Sequence, residues 1–211
     1  MGNREQLMSA NRILTKARLG SLTDDIFAVA MTIMIFRLEL PADITSMQLP
    51  DVLVHSVLKD LLILAGSFVI LGSQWMAMHF QHGFLVNIDR SYCWLTLAFL
   101  LVSCVVPFSA NLLVQFPEDK LVIYFYAGNL MLSQLTQWAT ISYATRNKLN
   151  HPDDAALAYT FVMRRILIAP ICYISGIFLA SWSIPLAFFV MILPPVLYIF
   201  PSSLDKFTRV N

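Results

Sequence analysis

From Ile166 to Phe200 the chain contains no charged residue. An apolar run of that length exceeds the roughly 20 helical residues that cross about 30 Å of hydrocarbon, so it must either be buried on all sides or fold back through a membrane. The sequence Ser181-Trp-Ser-Ile-Pro185 supplies the break for folding back, and Pro170, Pro194 and Pro195 are expected to kink or end the two resulting helices. The rest of the chain agrees: 58% of residues are hydrophobic and only 13% charged, against about one-quarter charged in soluble domains. Mean hydropathy is +0.68.

Four further spans are marked by charged or turn-forming flanks: Leu19 to Leu40 before Pro41, Val57 to His79, Tyr92 to Leu113, and Leu121 to Tyr143. The polar stretch Arg146 to Asp154 reads as a loop. The fold class expected is therefore an all-α integral membrane protein with six transmembrane helices per subunit. The organisation is an N-terminal segment 1–17, a helical membrane domain 18–204 and a tail 205–211. Residues 1–16 lack the apolar core of a cleavable signal peptide. An even number of spans puts both termini on one side. That side collects all of the 14 Lys+Arg except Arg37, Lys59 and Lys120, so the termini are expected to be cytoplasmic in a multi-pass cell-membrane protein.

Several function classes are excluded at this stage. A net charge of +1 gives no basic surface for nucleic acid. Cys93, Cys104 and Cys172 show no CxxC spacing and read as small buried apolar residues, neither disulfide partners nor zinc ligands. His79 and His82 have helical ligand spacing but no third ligand nearby in sequence, so no metal or other cofactor is expected. Nucleophile-elbow, Walker and dinucleotide-binding patterns are absent. The chain is not expected to be an enzyme.

The first helix is the anomaly. Arg18, Asp24 and Asp25 lead directly into it, and its apolar core from Ile26 to Phe36 is interrupted by Thr32. Intramembrane charge is costly in lipid and implies protein-lined polar space. Steps of three and four residues trace the seam Leu22, Asp25, Val29, Thr32, Phe36, Glu39, with Ile33 beside Thr32. Two packings satisfy this seam: the wall of an axial pore, or a central helix packed against its own subunit.

These residues resemble the transmembrane-protein-175 family of potassium channels. Its signature, Arg-x-x-x-Phe-Ser-Asp at the start of the first helix, reads here as Arg18-Leu-Gly-Ser-Leu22-Thr23-Asp24. Arginine and aspartate keep register, Leu22 replaces the aromatic, Thr23 retains a hydroxyl, and Asp25 stands where glycine is common. Trp75 and His79, Asp89-Arg90 and Pro107-Phe108 extend the likeness to about Asn111, with Met78 in place of the first of two histidines.

The resemblance implies a homotetramer of single-repeat subunits in the lipid bilayer, its central pore lined by the first helix of each. Potassium would be the permeant ion. By the same resemblance the ion pathway and constriction fall on Val29, Thr32, Ile33 and Phe36, and a hydrogen-bond network on Arg18, Thr23, Asp24, Trp75 and His79. Asp24, about 100° around the helix from Asp25, is expected to face inward. Asp25 is expected to form a cation-attracting ring at the cytoplasmic mouth, against the plainer reading of an acid at a helix N-terminus. The competing function is a secondary transporter that uses Asp24 or Asp25 as a proton- or cation-coupling carboxylate.

Overall fold

The computed structural model describes residues 2–38, 45–151 and 168–199. Glu39, Pro41, Arg164, Arg165 and the tail 205–211 lie outside them. The described residues form helices joined by short turns. The first, α1, spans Gly2–Ile33. It starts well before Leu19, so the polar N-terminal segment is a continuous extension of the membrane-directed helix. Past Ile33 the backbone tightens into a 3₁₀ turn over Met34–Arg37, and Leu38 is extended, so the α-helix ends several residues before the expected Leu40.

Helix α2 runs over Leu49–Phe84. Pro50 sits in its first turn, where no backbone N–H is required, and a π turn over Leu53–Val57 precedes the regular part. Helix α3 runs over Arg90–Gln115 behind the cap Asp89, whose side chain accepts from the Tyr92 backbone N–H at 2.7 Å. It covers the expected span from Tyr92 to Leu113, with a short turn at Cys104 and Val105 between the stretches Arg90–Ser103 and Val106–Gln115. The cause is Pro107, whose missing N–H removes one intrahelical bond. Helix α4 covers Lys120–Arg146 behind the cap Asp119, and a left-handed Lys148 (φ 53°) turns the chain after it. Helices α5 (Ile168–Leu179) and α6 (Ile184–Ile199) flank the expected break. Helix α6 continues through Pro194 and Pro195.

Among the described residues, α1 from Lys16 to Phe36, α2 and α3 are long and apolar enough to cross a membrane. The chain is thus a multi-pass membrane protein. Helix α4 is long enough, but its interior face carries Asn129, Ser133, Gln134, Gln137 and Thr140. Helices α5 and α6 are shorter and apolar. They approach closely at Gly176, where an added Cβ would stand 3.2 Å from the Ala187 carbonyl and closer still to the Met191 side chain. Only glycine fits there without movement.

The main core gathers Ile70, Phe99, Leu100, Ile123, Tyr126 and Leu130, with Phe27 and Met34 inserted from α1. A smaller cluster of Leu19, Leu85, Tyr92 and Ala144 closes one end. There the α2–α3 and α4–α5 connections pair: Val86 N donates to Leu149 O at 2.8 Å, and His151 N to Phe84 O at 2.9 Å. Lys16 Nζ donates to Leu85 O in the same region. The cysteines require a correction: Cys104 is exposed and Cys93 and Cys172 are half-buried, because the core is drawn from other faces of their helices.

Candidate ion path on the first helix

Helix α1 divides lengthwise into two faces. Leu19, Thr23, Phe27, Ala30 and Met34 recur at steps of three and four and are buried in the chain's own bundle. The Phe27 ring lies 5.9 Å from that of Phe99. On the opposite side Leu22, Asp25, Val29, Thr32, Ile33 and Phe36 are exposed. Val29 is 58% exposed and Phe36 76%, far more than an apolar side chain in a helix core. Of the two packings the seam allowed, burial in its own subunit therefore does not occur. Among the described residues nothing covers this stripe of bulky apolar side chains.

Thr32 breaks that stripe with one oxygen. Its hydroxyl donates to the helix itself, with Ala28 O at 2.8 Å and Val29 O at 3.0 Å. A hydroxyl has one proton and two acceptor lone pairs. With the proton held by the backbone, the outward-facing atom is an acceptor, suited to a cation and unsuited to an anion.

Asp24 lies where the two faces of α1 meet. It remains exposed, which corrects the expectation that it turns inward, but Trp75 of α2 donates its indole Nε1–H to Asp24 Oδ1 at 2.8 Å. The His79 ring sits 5.6 Å from the Trp75 ring, one turn along α2. Of the five expected network residues, Asp24 and Trp75 are hydrogen-bonded to each other and His79 meets them only through a ring contact. Thr23 does not join them: it is buried and donates to Leu19 O at 2.8 Å, the back-bonding usual for a hydroxyl inside a helix. Arg18 is exposed, and among the described residues no ion pair joins it to Asp24. Six residues before Asp24, it is more than a turn away and on another side of the helix. Asp25 is exposed and points away from the bundle's own partners.

Sequence reasoning gave Asp89 no role of its own. Besides capping α3, its Oδ2 accepts from the Tyr143 hydroxyl of α4 at 2.7 Å. This carboxylate therefore fixes the starting point of α3 and ties it to the end of α4. An aspartate immediately before an apolar helix was the available signal.

The family model described as endosomal/lysosomal potassium channel TMEM175 matches residues 18–107. That interval contains the two-faced part of α1, Trp75, His79, Asp89 and Pro107. No curated protein gives a sequence match. Among solved structures, the chain is similar to the crystal structure of a lysosomal potassium-selective channel TMEM175 homolog from Chamaesiphon minutus, with a TM-score of 0.73 and 18% identity. The alignment covers 88% of this chain and 96% of that one. At such identity the likeness is one of fold, and it extends well beyond the matched interval. Sequence similarity to the TMEM175 family model over residues 18–107 and similarity of fold to a TMEM175 homolog over most of the chain therefore point the same way.

Proposed function

We propose that this chain is a potassium channel in which the open face of α1 lines the ion path of a homotetramer. The observation that carries the reading is the stripe Val29, Thr32, Ile33 and Phe36, which the chain leaves uncovered on the helix that opens the family segment. Four copies around an axis would turn each exposed apolar residue into a ring. A constriction of this kind admits an ion only as it sheds water, and gates by dewetting. The Thr32 oxygens replace part of the lost hydration. Sodium holds its water more tightly than potassium and crosses less readily.

In the same reading the chain spans the cell membrane six times with cytoplasmic termini, the membrane domain running over 18–204 between the 1–17 segment and the 205–211 tail. Four Asp25 carboxylates ring the cytoplasmic mouth and raise the local cation concentration. Asp24 and Trp75, with His79 beside them, hold α1 against α2. The family is one of ion channels, so neither catalysis nor coupled transport is favoured, and the middle of α1 is apolar rather than a broken-helix substrate site. The test is ion flux into liposomes containing only the purified protein. Passive potassium uptake that exceeds sodium uptake is expected. Flux that requires a second ion's gradient, or equal passage of both ions, contradicts the reading.

A further inference from the structure

Polar side chains recur inside the helix bundle at seven-residue intervals. On α2 they are Ser67, Gln74 and Gln81; on α4, Tyr126, Ser133 and Thr140. All six are at most 4% exposed. Ser67 Oγ lies 2.9 Å from the Tyr126 hydroxyl, and Gln81 Nε2 donates to Thr140 Oγ1 at 3.1 Å, each pair 59 residues apart. The middle pair keeps this offset and is bridged from α3: Ser103 Oγ stands 3.3 Å from Gln74 Oε1 and 3.4 Å from Ser133 Oγ. Helices α2 and α4 therefore run parallel in one register, with three polar rungs about 10 Å apart.

A seven-residue repeat held by several helices is the pattern of helices packed along a common seam. Apolar contacts along such a seam tolerate sliding, because they have no direction. Polar rungs do not: a shift of α2 along α4 unpairs all three together, in an interior where unpaired polar groups are costly. Gln74 of the middle rung is followed immediately by Trp75, which points around the helix to Asp24 of α1. The rungs fix the height and rotation of α2, and α2 carries the hydrogen bond that holds the charged end of α1.

We infer that Ser67, Gln74, Gln81, Tyr126, Ser133, Thr140 and the bridging Ser103 are positioning residues for conduction, setting the axial register of α2 and through Trp75 the placement of the pore-facing helix. This rests on the reading of α1 as the ion path, so the test includes a signal that does not depend on conduction.

That signal is the fluorescence of Trp75 in a full-length protein whose Trp94, Trp138 and Trp182 are phenylalanine. Gln81→Leu is expected to shift Trp75 emission in the direction that Asp24→Ala shifts it, and to lower the preference for potassium over sodium in liposome flux. The exchange Gln81→Thr with Thr140→Gln rebuilds the rung and is expected to restore both. Ser67→Ala with Tyr126→Phe removes a rung without stranding a polar atom. It should fold, and should shift Trp75 in the same sense. Unchanged Trp75 emission and unchanged selectivity in folded Gln81→Leu and Ser67→Ala/Tyr126→Phe proteins overturn the inference. An unrestored exchange variant does so too. A Trp75 shift in a protein that passes no ion even before substitution supports the register device and contradicts the channel reading instead.

Discussion

Thr32 holds its only proton against its own backbone, with the Ala28 carbonyl 2.8 Å away, and so presents acceptor lone pairs outward. Thr32→Val keeps the side-chain shape and removes that oxygen; potassium flux is expected to fall while subunit assembly, read by elution volume, is unchanged. Thr32→Ser should retain most of the flux. The neighbouring charges act differently. Asp24 accepts a hydrogen bond from Trp75, and bonds of that class contribute about 1.5–3 kcal/mol when sheltered and less when exposed. Trp75→Phe is therefore expected to lower thermal stability by roughly 1 kcal/mol in detergent. Among the described residues Asp25 is exposed and no hydrogen bond or ion pair holds it, so Asp25→Asn is expected to reduce conductance mainly at low ionic strength, where a ring of charge is least screened. Equal conductance of Asp25→Asn and the unmodified protein at low salt removes that role.

Helix α1 serves two environments, and its faces should respond oppositely to truncation. Phe27 is buried against Phe99, so Phe27→Ala is expected to cost about 3–5 kcal/mol and to reduce the yield of folded protein. Phe36 is exposed and outside the core clusters of the described residues, and Phe36→Ala should alter flux with little change in unfolding temperature. Gly176→Leu forces apart the α5–α6 hairpin at a point where even a methyl group meets the Ala187 carbonyl. Overpacking of this kind costs about 1–3 kcal/mol.

Much of this was legible in the sequence. Hydropathy and punctuation located the helices, and steps of three and four along α1 traced the face that the chain leaves open. Two features were written there in less visible form. The start of α1 was hidden because a polar stretch gives no membrane signal, yet it is helical from Gly2. The rungs of α2 and α4 were present as a seven-residue spacing, but their pairing depends on which helices become neighbours. Periodicity within one segment does not contain that information. The reach of Arg18 was also beyond local pattern, since a motif gives order along the chain and not which side chains meet.

At the scale of the whole molecule, the bundle is a holder for one helix. Pairing of the Leu85–Asn150 connections, the Asp89–Tyr143 tie and the Trp75–Asp24 bond all fix the end of the bundle where α1 carries its charges. The apolar middle of α1 extends away from that end with its outer face uncovered. A single chain offers only one wall, so an ion path on this face requires assembly around an axis, and the most direct measurement joins assembly to conduction. In a background with Cys93, Cys104 and Cys172 replaced by alanine, Val29→Cys, Thr32→Cys and Phe36→Cys proteins in liposomes are treated with a charged, water-soluble thiol reagent during potassium flux. Block of flux at these positions, with Ala30→Cys on the buried face unaffected, is the expected result. Flux that continues unchanged after the three outward positions are modified would contradict the claim that this face of α1 lines the ion path.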